Sequence, residues 1–158
     1  MSDLVWVDVS QCLDPDSMGA LPDVRVPGVS AEGWQAVLDL VVEKGWRYQY
    51  AEGAAELSLP RAEAVLARPA EAECPSLRVW PESGVLAIFR FLDDEVIDFD
   101  VDLREVQGQE RLDVLCGFFR EIGRRLGKAV LMDPEGGGGQ PILGFDVEAD
   151  RVVLLMEP

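Results

Sequence analysis

At 158 residues and 48% hydrophobic composition, the chain is long enough to build one packed core without disulfide or metal staples. Lys and Arg number 14 against 30 Asp and Glu, a formal net charge of −16. That balance excludes a general basic surface for DNA, RNA or anionic lipid, and the apolar content excludes the weakly hydrophobic composition of disordered chains.

Leu4 to Val9 is a short run of β-branched and aromatic residues and is expected to form a first strand. Leu13 to Gly28, with Pro15, Pro22 and Pro27, is expected to be a loop. Trp34, Val37, Leu38 and Val41 recur at helical spacing between Ser30 and Gly45, giving a helix over about 31–44. Trp46 to Tyr50 and Glu56 to Leu59 suit two paired strands across Gly53, and a short helix over 61–67 lies between Pro60 and Pro69. Leu77 to Trp80 and Val85 to Phe91 flank the Pro81-Glu82-Ser83-Gly84 turn as a hairpin. After the acidic turn Asp93-Asp94-Glu95, the segment from Val96 to Leu103 alternates apolar and acidic residues and completes a meander. A second long helix carries Leu112, Leu115, Cys116, Phe119, Ile122 and Leu126, with Arg120, Arg124, Arg125 and Lys128 towards its C-terminal end and Gly127 as its stop. Strands over 128–132, 142–145 and 151–156 close the chain as another meander. Each long helix ends in a glycine and leads into a strand, which is the common local grammar of α+β proteins and also fits two helix-plus-meander halves sharing one sheet. The fold class is therefore α+β, one domain over 1–158: a mainly antiparallel sheet of six to eight strands with two principal helices packed on it.

The alternation from Val96 places Ile97, Phe99, Val101 and Leu103 towards a core and Asp98, Asp100 and Asp102 in a row on the other face. Same-face neighbours on a strand lie roughly 6.5–7 Å apart, so three carboxylates in line repel unless something cationic faces them. Carboxylates on a strand face also hold divalent metals, and nucleotidyltransferases use a strand Asp-x-Asp in this way. Those enzymes place the pair after a Gly-Ser turn that opens a phosphate-holding helix, and here a hairpin strand occupies that position. Gly136 to Gly139 enters a strand through Gln140-Pro141 and reads as a hairpin connection, since a phosphate loop requires a following helix. Trp34 lies on the apolar stripe of its helix, whereas Trp80 beside the Pro81 turn is a candidate binding anchor. The chain has no histidine, which removes Ser–His and Cys–His nucleophiles and every His metal ligand. Cys12, Cys74 and Cys116 are widely spaced and form no CxxC pair, as expected of reduced thiols in the cytoplasm. Met1-Ser2-Asp3-Leu4 lacks a signal-peptide pattern, and no run approaches a membrane span.

The C-terminal layout runs from Leu126-Gly127-Lys128 through an apolar strand and an acidic loop to Ile142-Leu143-Gly144-Phe145-Asp146 and a last strand. Over about the last 50 residues this resembles small acidic bacterial immunity proteins of polymorphic toxin systems. The resemblance implies a non-enzyme that binds and blocks one cognate toxin. The expected function is thus inhibition or sequestration of a basic protein partner, with no cofactor, no resident metal and no direct nucleic-acid or membrane contact. Its expected contacts are Asp93, Asp94, Glu95, Asp98, Asp100, Asp102 and Trp80. Two alternatives remain open: a divalent-metal-dependent enzyme using Asp98, Asp100 and Asp102, and an oligomeric adaptor whose acidic face only solubilises it.

Overall fold

The structure is a computed structural model that describes residues 3–69, 71–136 and 140–156. The strands among the described residues are β1 (Asp23–Pro27), β2 (Arg47–Glu52), β3 (Ala55–Leu57), β4 (Pro75–Glu82), β5 (Val85–Arg90), β6 (Val96–Val101), β7 (Val130–Asp133), β8 (Leu143–Asp146) and β9 (Arg151–Leu154). These nine form one sheet in the order β3-β2-β4-β5-β6-β1-β7-β8-β9, and every neighbouring pair is antiparallel. The helices are α1 (Trp6–Val9), α2 (Pro15–Met18), α3 (Ala31–Lys44), α4 (Ala62–Leu66) and α5 (Gln109–Leu126). The expected α+β class holds, with one strand more than the upper expectation.

Alternation on the strands separates the two faces of the sheet. Val24 and Val26, Leu77 and Val79, Ala87 and Phe89, Ile97 and Phe99, and Val130 and Met132 are all buried on one side. The apolar stripes of α3 and α5 are buried in the same core, and the two helices touch each other. Trp34 stacks on Phe91 with ring centroids 4.6 Å apart, and Phe99 meets Phe118 and Phe119 edge-on at 5.5 and 6.0 Å. Each such buried aromatic or large aliphatic side chain is worth roughly 1.5–3 kcal/mol over its exposed state. Both long helices stop where the sequence places them, since Gly45 and Gly127 take the left-handed conformation with φ of 69° and 64°. Gly123 lets α5 approach β8, because a Cβ there would lie 2.2 Å from Phe145 Cδ2.

Two expectations near the N-terminus are corrected. The run expected as a first strand contains α1: Trp6 N–H donates to Gln109 Oε1 at 2.7 Å, Val9 is buried, and Val5 and Val7 face solvent. The segment expected as a loop contains α2 and β1, and β1 is a central strand between β6 and β7. Pro22 and Pro27 bracket that strand and disguise it, but Val24 and Val26 alternate inward. Leu103 reaches the core as expected, from a 3-10 turn over Leu103–Glu105 that begins after β6 has ended. The two meanders run consecutively, with β1 between them. Of the glycine run, only Gly136 falls within the described residues. No helix among the described residues is long and apolar enough to cross a membrane.

Candidate functional site

The second face of the sheet carries the alternate side chains, which are half-exposed. Register places Arg90, Asp98, Arg25 and Leu131 in one line across β5, β6, β1 and β7. The next line reads Ile88, Asp100, Asp23 and Asp133. The acidic row therefore runs across three strands, Asp100 to Asp23 to Asp133, as well as along β6. Two arginines answer it diagonally. Arg90 Nη1 donates to Asp100, and Arg25 Nε donates to Asp133 Oδ2 at 2.7 Å. Asp100 and Asp133 thus find a cationic partner within the chain, and Asp23 and Asp98 stand beside those pairs.

Depth matters as much as sign here. The arginines stand higher, with side chains 39% and 42% exposed for Arg25 and Arg90, while Asp133 and Asp100 lie beneath them at 15% and 16%. With Arg47 and Arg78 on the same face, Arg25 and Arg90 match Asp23, Asp98, Asp100 and Asp133 in number. Asp146 opposite Arg151 and Glu56 on β3 lie on the same face, so most of the chain's acidic excess lies elsewhere.

Asp23, Asp98 and Asp100 each offer a carboxylate oxygen within 4.8 Å of the others. Burial, a hydrogen bond with Asp100, and the charges of Asp100 and Asp98 push the Asp23 carboxyl from 3.8 up to about 6, against the lowering effect of Arg90. Asp98 is also raised, by burial first and then by Asp100. Such oxygens suit a hard divalent cation. Arg90, however, already places its guanidinium on Asp100.

The seven expected site residues fall in three places. Asp98 and Asp100 sit at the centre of the open face. Asp102 leaves the row: it caps the 3-10 turn, accepting from Arg104 N and from Arg104 Nε and Nη2, each at 2.9 Å. These bonds hold its carboxyl below the ordinary range. Trp80 is half-buried on the open face, under the Arg47 guanidinium at 4.5 Å, and a full strand separates β4 from β6. It lies towards the Asp102 end of the sheet, remote from Asp93, Asp94 and Glu95 at the opposite end.

Those last three residues are exposed on the β5–β6 turn. Trp34 Nε1 donates to the Asp93 carbonyl at 2.8 Å, Glu95 N–H to Asp93 Oδ1 at 2.7 Å, and Val29 N–H to the Glu95 carbonyl at 3.0 Å. The backbone of the turn is therefore fixed while its charges face water. Asp93 and Asp94 rim a groove of about 480 Å³ with Glu73, over Val65, Leu66 and Leu92. Leu92 is 64% exposed. The groove's arginine, Arg68, is engaged at 2.7 Å by Glu52. Among the described residues, none of Asp93, Asp94, Glu95 and Glu73 forms an ion pair.

Sequence reasoning missed Asp23, Asp133, Arg25 and Arg90, because cross-strand register joins residues far apart in the chain. It missed Glu73, which the segment before β4 carries to the groove, and Leu92, although an apolar residue directly before Asp93-Asp94-Glu95 is a visible signal. Comparison with protein-family models, with curated proteins and with solved structures gives no match.

Proposed function

We propose that this chain is a non-enzymatic binding protein that holds a basic protein partner, with the acidic end of its sheet as the contact. The observation that carries this reading is the β5–β6 turn: three exposed carboxylates that form no ion pair among the described residues, on a fixed backbone, beside an exposed leucine. An apolar anchor with a charged rim is the usual anatomy of a protein interface. The net charge of −16 would speed encounter with a cationic partner, and the anchor would slow its departure. Neutralisation of a basic toxin, as immunity proteins achieve it, is the specific form proposed, and three free thiols fit a cytoplasmic setting. The docking site moves from the β6 row to the turn, because Asp98 and Asp100 lie among arginines of the chain itself.

The test is capture from lysate of the protein's own cells, comparing the wild type with the variant Asp93→Asn, Asp94→Asn, Glu95→Gln. A basic protein retained by the wild type and lost by the variant supports the reading. Equal retention by both overturns the assignment of the turn. A second reading, a divalent-metal-dependent enzyme, is favoured by the 4.8 Å clustering of Asp23, Asp98 and Asp100. Titration calorimetry with Mg²⁺ and Mn²⁺ decides it: binding heat abolished by Asp23→Asn supports a metal site, and no heat removes it.

A further inference from the structure

A second acidic and apolar surface lies on the other side of α4. Two hollows of about 230 and 440 Å³ run along the seam between α3 and the segment from Ser58 into α4, and they share Gln35, Asp39 and Arg61. Gln35 braces the seam, accepting from Ala62 N–H at 2.7 Å and donating to Asp39 Oδ1 at 2.8 Å. Val42 and Tyr48 line it while 54% and 40% exposed, and Leu57, 46% exposed, immediately precedes Ser58 in its wall. Large apolar side chains left this open and this close together mark an unfilled contact surface. Around them stand Glu32, Asp39 and Glu63 against one cation, Arg61, and none of the four forms an ion pair among the described residues.

The seam is continuous with the turn already described. Val65 and Leu66 of α4 line the groove below Asp93 and Asp94, while Glu63 of the same helix lines the seam. Trp34 of α3 is bonded to the carbonyl of Asp93. From Glu32 to Val42 the exposed flank of α3 spans about 15 Å, the length of roughly three helical turns.

We infer that this seam receives an amphipathic cationic segment of the basic partner, with its apolar side chains on Val42 and Tyr48 and its ammonium or guanidinium groups on Glu32, Asp39 and Glu63. The inference rests on the proposed basic partner and adds where, and in what form, that partner docks. A segment with charge but no apolar stripe would satisfy the carboxylates and leave Val42, Tyr48 and Leu57 in water. A neutral amphipathic segment would strand the carboxylates beneath it, so both properties are required together.

The probe is a fluorescein-labelled leucine–lysine peptide with helical periodicity, alongside a peptide of the same composition in scrambled order. Anisotropy is read with the full chain at low salt. The periodic peptide is expected to bind about tenfold more tightly than the scrambled one. Val42→Ser with Tyr48→Ser, both at exposed positions, should erase that preference without changing the thermal melt. Equal binding of the two peptides, or a preference that survives the double substitution, overturns the inference. Equal binding that is lost on Asp93→Asn with Asp94→Asn overturns the seam while leaving the basic-partner reading standing. No binding of either cationic peptide overturns both.

Discussion

Replacing Asp23 by Asn is expected to make the protein more stable at neutral pH. In the folded state Asp23 lies between Asp100 and Asp133 on the neighbouring strands, and its carboxyl titrates at about 6 in place of 3.8. Between those two values the folded chain holds more proton than the unfolded chain, so stability falls as pH rises through that window and the full penalty is present at pH 7. A shift of this size corresponds to a ceiling of about 3 kcal/mol at roughly 1.36 kcal/mol per unit. The group is only half-buried on an open face, and solvent and salt screen it, so about 1–1.5 kcal/mol is the expected gain. The Asn amide keeps a donor for Asp100 and removes the charge. Urea and thermal melts of both proteins at pH 7 and pH 3.5 measure the difference. The variant should gain the stated amount at pH 7, about 2–5 °C in Tm, and nothing at pH 3.5. A loss of stability at pH 7, or an equal gain at both pH values, would refute the cross-strand carboxylate pairing.

Asp102→Ala should cost about 1 kcal/mol at neutral pH, because the cap on the 3-10 turn and the Arg104 contacts go with it. Its carboxyl is held low in the fold, so the difference should vanish as acid protonates it, which a pH series of melts reads directly. Gly123→Ala would gain about 1 kcal/mol from helix propensity alone, yet the 2.2 Å approach to Phe145 should dominate and destabilise by about 2 kcal/mol or more. A rise in melting temperature would contradict the close packing of α5 on β8. Trp34→Phe removes the Nε1 bond to the Asp93 carbonyl and should cost about 1–2 kcal/mol. Faster amide exchange at Glu95 and Val29 should accompany that loss, and unchanged protection there would mean the turn is held by other contacts.

The legible parts of this fold are those with local causes. Trp34, Val37, Leu38 and Val41 announce α3, Gly45 ends it, and the Val96 alternation places Ile97 and Phe99 in the core. β1 was hidden because a five-residue strand gives only one inward alternation, Val24 and Val26, and its prolines and Gly28 speak for a loop. Val5, Val7 and Val9 favour a strand by propensity, but docking of Trp6 and Gln109 winds that run into a helix. At the candidate site the aspartates of β6 were visible and their surroundings were not. Whether Asp98 and Asp100 present bare charge depends on Arg90 and Arg25, which register alone brings beside them. Asp93, Asp94 and Glu95 read as an acidic turn from local composition alone, and their exposure and the bonds from Trp34 and Val29 that fix them come from the fold.

Under the proposed function, exposed carboxylates on the β5–β6 turn recruit a basic protein. The most direct test of that recruitment is the association rate of the captured partner as salt rises from about 0.1 M to about 1 M, where the Debye length shrinks from about 10 Å to about 3 Å. The rate for the wild type should fall at least about tenfold with little change in dissociation, and Asp93→Asn with Asp94→Asn and Glu95→Gln should flatten that dependence. An association rate indifferent to salt, or one as salt-sensitive in the variant as in the wild type, would contradict it.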